Sequence, residues 1–155
     1  MKEETLKRIF NFLEEKGEHN APFKWKFEND IPLTEGDLNV KGDLDLSHTE
    51  IESLPEGLKV WGNLSLYYCK HLTSLPKGLN VVGNLDLIAS NVEFLSEGLK
   101  VGGGLMLQDT NINSLPKGLE VRYNLYIGDS PLIKYSAKKL REMIKPGFIK
   151  GDIIR

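Results

Sequence analysis

Apolar positions return along the chain with a long beat. LPEGLKVWGNLSL at 54–66, LPKGLNVVGNLDL at 75–87, LSEGLKVGGGLML at 95–107 and LPKGLEVRYNLYI at 115–127 are variants of one block, and TEGDLNVKGDLDL at 34–46 is a more diverged copy. Aligned on the leucine before the valine, Leu38, Leu58, Leu79, Leu99 and Leu119 are 20, 21, 20 and 20 residues apart. A fixed period in this range marks a solenoid, in which each turn buries its apolar face against the next. Within one turn Leu58, Val60, Leu64 and Leu66 alternate with Lys59, Trp61, Asn63 and Ser65. Alternation of this kind predicts β-structure with one face in and one face out. Gly62 takes an inward position, which predicts a close approach of backbone to the neighbouring turn. Gly42, Gly83 and Gly103 recur there, and Tyr123 replaces glycine in the last block, where stacking is expected to stop or change shape.

The second half of each turn repeats as well. A small residue follows the last strand leucine by three positions, at Thr49, Cys69, Ser90, Thr110 and Ser130. Such a side chain fits a tight corner and bonds nearby backbone, so Cys69 reads as one rung of a column rather than as a reactive thiol. Ile51, Leu72, Val92, Ile112 and Leu132 follow as inward plugs, and Leu-Pro-x-Gly closes the turn at Leu54-Pro55, Leu75-Pro76 and Leu115-Pro116. Proline fixes its own φ and glycine permits a positive one, which makes a dependable corner.

LSLYYCKHLTSLP and LMLQDTNINSLP resemble leucine-rich repeats, specifically the short LP-containing bacterial type; the likeness runs over about residues 34–135, and similar short repeats occur in phage-encoded proteins. Two departures stand out. Thr, Ser or Cys replaces the usual ladder Asn, and LxVxGN adds a β-like segment on a second side of the coil. The resemblance implies a binding solenoid without chemistry of its own. The expected fold is a mainly β, α/β solenoid of five leucine-rich-repeat-like coils with a parallel sheet, capped by N- and C-terminal helices.

The ends supply the caps. In residues 1–17, Leu6, Ile9, Phe10 and Leu13 form one helical stripe, with Glu3 and Glu4 in the first turn and Lys16-Gly17 as the stop. FKWKF at 23–27 alternates Phe23, Trp25 and Phe27 with Lys24 and Lys26, which predicts a strand with an aromatic inner face. Ser136 is a good N-cap for AKKLREMIK, and Phe148, Ile149, Ile153 and Ile154 form an apolar tail expected to fold back over the fifth turn. The whole reads as one domain over 1–155, with a helix and capping strand at 1–33, the repeats at 34–135 and a cap at 136–155.

Composition narrows the function. The chain has 20 basic and 22 acidic residues and a net charge of −2, without the basic excess that a nucleic-acid binder needs. Its single cysteine forms no intrachain disulfide and no cysteine-based zinc site. The start lacks a secretory apolar run, and no stretch approaches the ~18 apolar residues of a membrane span, so a cytoplasmic setting is expected. No metal, cofactor or membrane is predicted. The chain carries no HExxH and no GxxxxGK[ST], and GGG at 102–104 belongs to the repeat. We therefore read it as not an enzyme. The outward aspartates Asp43, Asp45, Asp86, Asp109 and Asp129 keep a small hydrolase open as an alternative, and a self-stacking structural subunit is a second one.

The leading expectation is a protein-binding module, such as a phage or bacterial inhibitor or adaptor. If the strand leucines point inward, Tyr67, Asp86, Ile88, Met106, Gln108 and Tyr126 share an outward face, and exposed aromatic and Met residues are typical anchors. Five strands at ~4.8 Å spacing give roughly 20 by 10 Å, less than the ~800 Å² per partner of a standard interface. A loop side or cap is therefore expected to contribute. The extra residue within YYCKH at 67–71 places Tyr67, Tyr68 and His71 at a bulge, with Trp61 exposed on the other segment.

Overall fold

The computed structural model describes residues 3–15 and 21–155. It is a mainly β, parallel-stranded solenoid. Each turn contributes one short strand to each of two six-stranded sheets. The first sheet stacks β1 (Asn39–Val40), β3 (Lys59–Val60), β5 (Asn80–Val81), β7 (Lys100–Val101), β9 (Glu120–Val121) and β11 (Phe148–Ile149) in that order. The second stacks β2 (Leu44–Asp45), β4 (Leu64–Ser65), β6 (Leu85–Asp86), β8 (Leu105–Met106), β10 (Leu125–Tyr126) and β12 (Ile153–Ile154).

Register follows the repeat. Leu44, Leu64, Leu85, Leu105 and Leu125 pair in one column, continued by Ile153. The five leucines are at most 1% exposed and form a single core with Val60, Val81, Val101 and Val121. Burying each leucine contributes about 1.5–3 kcal/mol, and no single turn could do this alone. Between the two strands of a turn the coils nearly touch. A Cβ on Gly83 would lie 2.7 Å from the Gly62 carbonyl carbon, and one on Gly103 would lie 2.7 Å from that of Gly83. Here the chain needs glycine for space. At the Leu-Pro-x-Gly corners it needs it for conformation, since Gly57, Gly78, Gly98 and Gly118 have φ between 69 and 75°.

The corner after the second sheet follows a second rule. His48, Tyr68, Ala89, Asp109 and Asp129 all adopt φ of 52–57°, one residue before the small-residue column. The small side chain that follows is inward, and three of the five bond locally, while Ser90 Oγ is buried without a hydrogen-bond partner among the described residues. Thr49, Thr110 and Ser130 each donate at 2.7 Å to the carbonyl three residues back. Cys69 is fully buried, and its Sγ lies 3.1 Å from the Leu46 oxygen and 3.7 Å from Thr49 Oγ1. Burial pushes its thiol above the usual range, against the opposing effect of Thr49, as suits a structural rung.

Both ends differ from expectation. Residues 23–27 are not a strand: α2 runs Ala21–Glu28. Phe23 and Phe27 are one helical turn apart and stack at 5.5 Å, with Phe23 buried against the first coil. Pro22 suits a first helical turn. Alternation over five residues could not be told from an i, i+4 aromatic pair. Lys26 ties the helix to Asp37 at 2.8 Å. Burial opposes ionisation of Asp37, but the Lys26 and Thr34 hydrogen bonds outweigh it and hold its carboxyl below the usual range. α1 (Glu3–Glu15) lies against α2. The Leu6, Ile9, Phe10 and Leu13 side chains and the Lys16-Gly17 stop lie outside the described residues.

At the other end the stacking does not stop at Tyr123. That side chain turns out to solvent, 67% exposed, and its carbonyl still accepts from Gly151 N–H. The apolar tail does fold back over the fifth turn, and it does so as β11 and β12, one further rung of both sheets. The helix α3 (Ala137–Met143), capped by Ser136 as expected, occupies the detour before this rung. Its Arg141 donates to the Ile149 and Gly151 carbonyls, the groups that would otherwise face a next turn. A cation thus sits on the open edge of the first sheet, a placement that discourages further strand addition there.

Candidate functional site

The outer face of the second sheet is built by the same alternation that buries the leucines. Opposite Leu44, Leu64, Leu85, Leu105, Leu125 and Ile153 stand Asp45, Ser65, Asp86, Met106, Tyr126 and Ile154, paired rung by rung. Two residues on, Ser47, Tyr67, Ile88, Gln108 and Gly128 form a second column. Most of these side chains are half-buried; Asp45, Tyr67 and Ile154 are exposed.

A third column, on the side facing the first sheet, organises the backbone. Asp43 Oδ1 accepts from Asn63 N–H at 2.7 Å, Asn63 Oδ1 from Asn84 at 2.8 Å and Asn84 Oδ1 from Gly104 at 2.7 Å. Asn124 Oδ1 receives Asp152 N–H at 2.9 Å. Gly104 interrupts this ladder, and the ring of Tyr126 leans into the space: a Cβ there would be 3.4 Å from the ring edge. Asn124 Nδ2 sits 3.4 Å from the Tyr126 hydroxyl.

Charge varies along the face. Asp45 Oδ1 accepts from the Ser47 hydroxyl and from its N–H at 2.9 Å. The Ser47 bonds, aided by Lys24 and His48 against a burial cost, hold the Asp45 carboxyl below the usual range. Asp86 behaves in the opposite way. Burial pushes its carboxyl up, the Ile88 N–H at 2.9 Å works against that, and the charge of Asp45 adds to it. Among the described residues the ion pairs are Lys24–Glu28, Lys26–Asp37 and Lys100–Glu120, so neither face aspartate has one. Gln108 Oε1, in the neighbouring column, is buried without a hydrogen-bond partner.

Next to Asp45 lies an aromatic corner. Tyr67 meets the His48 ring edge-on at 5.1 Å, Tyr68 lies 5.3 Å from it, and Lys70 Nζ is 4.4 Å from the Tyr68 ring centre. The extra residue of this turn falls at Lys70-His71, because Cys69 pairs with the 20-residue beat before it and Leu72 with the one after. The Asn91 side chain donates to the Lys70 carbonyl at 2.6 Å and so closes the bulge. His71 is exposed on it.

Tyr67, Asp86, Ile88, Met106, Gln108 and Tyr126 therefore share one surface, with Tyr68 at its border. Trp61 does not join them. It stands outside the first sheet, its Nε1 donating to Asn39 Oδ1 at 2.7 Å, with Lys59 Nζ 3.9 Å from the ring centre. Asp109 and Asp129 stand at left-handed corner positions, where Asp is well tolerated. Sequence reasoning missed Ile154, which extends the face by a rung; KGDIIR at 150–155 echoes KGDLDL at 41–46 and was the available signal. Among the described residues no group of three His, Cys, Asp or Glu could hold a metal ion, and no helix is long and apolar enough to cross a membrane. No family model, curated protein or solved structure matches this chain.

Proposed function

We propose that the chain is a non-catalytic protein-binding module made of five leucine-rich-repeat-like coils, and that the outer face of the second sheet receives the partner. An inhibitor or adaptor acting on another protein is the use that fits. The supporting observation is that this face holds carboxylates without ion pairs and a buried, unpartnered acceptor beside Ile88, Met106 and Tyr126. Aromatic residues and Met are enriched in interface cores, and polar groups belong to the rim around them. Six rungs at ~4.8 Å give a strip roughly 24 by 10 Å, so the Tyr67–Tyr68–His48 corner belongs to the same footprint. The self-stacking alternative is disfavoured by Arg141 on the terminal carbonyls.

Photo-crosslinking in the producing cell tests the reading. A benzoylphenylalanine at Met106 should give a discrete crosslinked protein that the same probe at Val82, on the first sheet, does not. Identical patterns from both positions would refute it.

A further inference from the structure

The solenoid has a third flank, between the second-sheet strand of one turn and the first-sheet strand of the next. Its corners are the Leu-Pro-x-Gly turns and their Leu-Ser-Glu-Gly variant at 95–98. The residue before each corner leucine is Ser53, Ser74, Phe94 and Ser114 in successive turns, and all four are exposed. Ser74 and Phe94 pair as a parallel bridge, so the register holds on this flank too. Phe94 interrupts the serine series with a ring that is 61% exposed. An open groove of about 520 Å³ lies beside it, lined by Leu75, Phe94 and Leu95 together with Ser74, Lys77 and Glu97. The groove therefore falls between the third and fourth turns, midway along the four corners.

Charge on this flank alternates. The variable corner position reads Glu56, Lys77, Glu97 and Lys117, all exposed. Among the described residues none of the four is in an ion pair. A series of this kind is its own complement when reversed. A two-fold axis through the groove sets the third turn of one copy against the fourth turn of another, and the second against the fifth. Lys77 then meets Glu97, Glu56 meets Lys117, and each Phe94 comes opposite Ser74, where a small side chain leaves it room over Leu75. The two Phe94 rings are one rung of ~4.8 Å apart, within the spacing of an offset stack. Copies set side by side in the same direction and register would instead place like charge on like. We propose that the protein forms a two-fold dimer through this flank, with a second copy of the chain as the occupant of the groove. Such an isologous contact closes after two copies, and it leaves both second-sheet faces open. The four corners span only about 15 Å, so the contact is smaller than the ~800 Å² per partner of a standard interface and the dimer is a weak one.

Sedimentation equilibrium of the full chain from about 10 μM to about 1 mM covers the affinities of weak interfaces. The mass should rise from one chain to two and stop there. Phe94→Ser, which repeats the residue of the neighbouring turns, should raise the dissociation constant about tenfold or more. Lys77→Glu and Glu97→Lys should each stay monomeric, because either one sets like charges together twice across the axis. Mixing these two variants should recover a dimer containing one copy of each, since every reversed pair is then opposite in sign again, and recovery also shows that both variants are folded. A one-chain mass at every concentration would overturn the proposal, and so would a dimer indifferent to Phe94→Ser and to both reversals. Reversal variants that melt as the unaltered chain does, yet fail to pair when mixed, would overturn the two-fold arrangement.

Discussion

Lys100 meets Glu120 at 3.4 Å and Lys59 covers the Trp61 ring on the outside of the first sheet; on the second, Asp45 and Asp86 face outward with no ion pair among the described residues. The two sheets come from the same repeat, have the same number of strands and bury the same kind of column. What differs is whether outward side chains answer one another. On the first sheet opposite charges and a cation–π contact are settled within the protein. On the second, burial penalises the Asp86 charge and Gln108 Oε1 finds no donor. Inward positions are fixed by stacking, so departures on the outside are where a partner's chemistry can be read.

Breaking the shared interior should have the largest effect and should not distinguish the sheets. Leu85→Ala removes a fully buried side chain from the central column and should cost about 2–5 kcal/mol in urea unfolding. Gly83→Ala tests the close approach between the sheets. Its Cβ would meet Gly62 backbone, which cannot swing away, as well as the Asn63 side-chain oxygen, and a loss of about 1–3 kcal/mol is expected by the same measurement.

The outer faces should then separate. Lys100→Ala on the first sheet breaks an exposed pair and should change stability by no more than about 0.5 kcal/mol, fading with added salt. Asp86→Asn on the second should do the reverse and raise the melting temperature at pH 7. The sign follows from linkage. The folded-state carboxyl of Asp86 is raised, so its ionisation destabilises the fold above that pKa and not below the unfolded value of 3.8. The advantage of the variant should therefore vanish as the pH falls below the carboxylate range. A destabilised Asp86→Asn at pH 7 would mean that the aspartate is satisfied by the fold and is not awaiting a ligand.

The leucine columns were legible in the sequence because stacking forces one side chain to repeat every 20 or 21 residues. The outward column was legible for the same reason, by alternation from Leu64 and Leu85. Trp61 was legible as exposed on the other segment from Tyr67, since it precedes the bend at Gly62, but the pattern did not show that its Nε1 is bonded to Asn39. The strand expected at Phe23–Phe27 failed because Phe23 and Phe27 satisfy both periods. The last rung was hidden by distance: β11 begins 28 residues after β9, with α3 inserted, so its beat broke although KGDII kept the motif. Asp45 and Asp86 were legible as sharing one outward register two turns apart, and the strand pairing places Ser65 between them.

The most direct test compares the two outer faces in one experiment. Affinity of the crosslinked partner, once identified, would be measured by calorimetry against two matched sets of single variants. Tyr67→Ala, Asp86→Asn, Met106→Ala and Tyr126→Ala alter the second sheet; Lys59→Ala, Val82→Ala, Lys100→Ala and Arg122→Ala alter the first. We expect the losses to fall in the second-sheet set, with the first-sheet set indistinguishable from the unaltered chain. Losses confined to the first-sheet set, or spread evenly over both, would contradict the account.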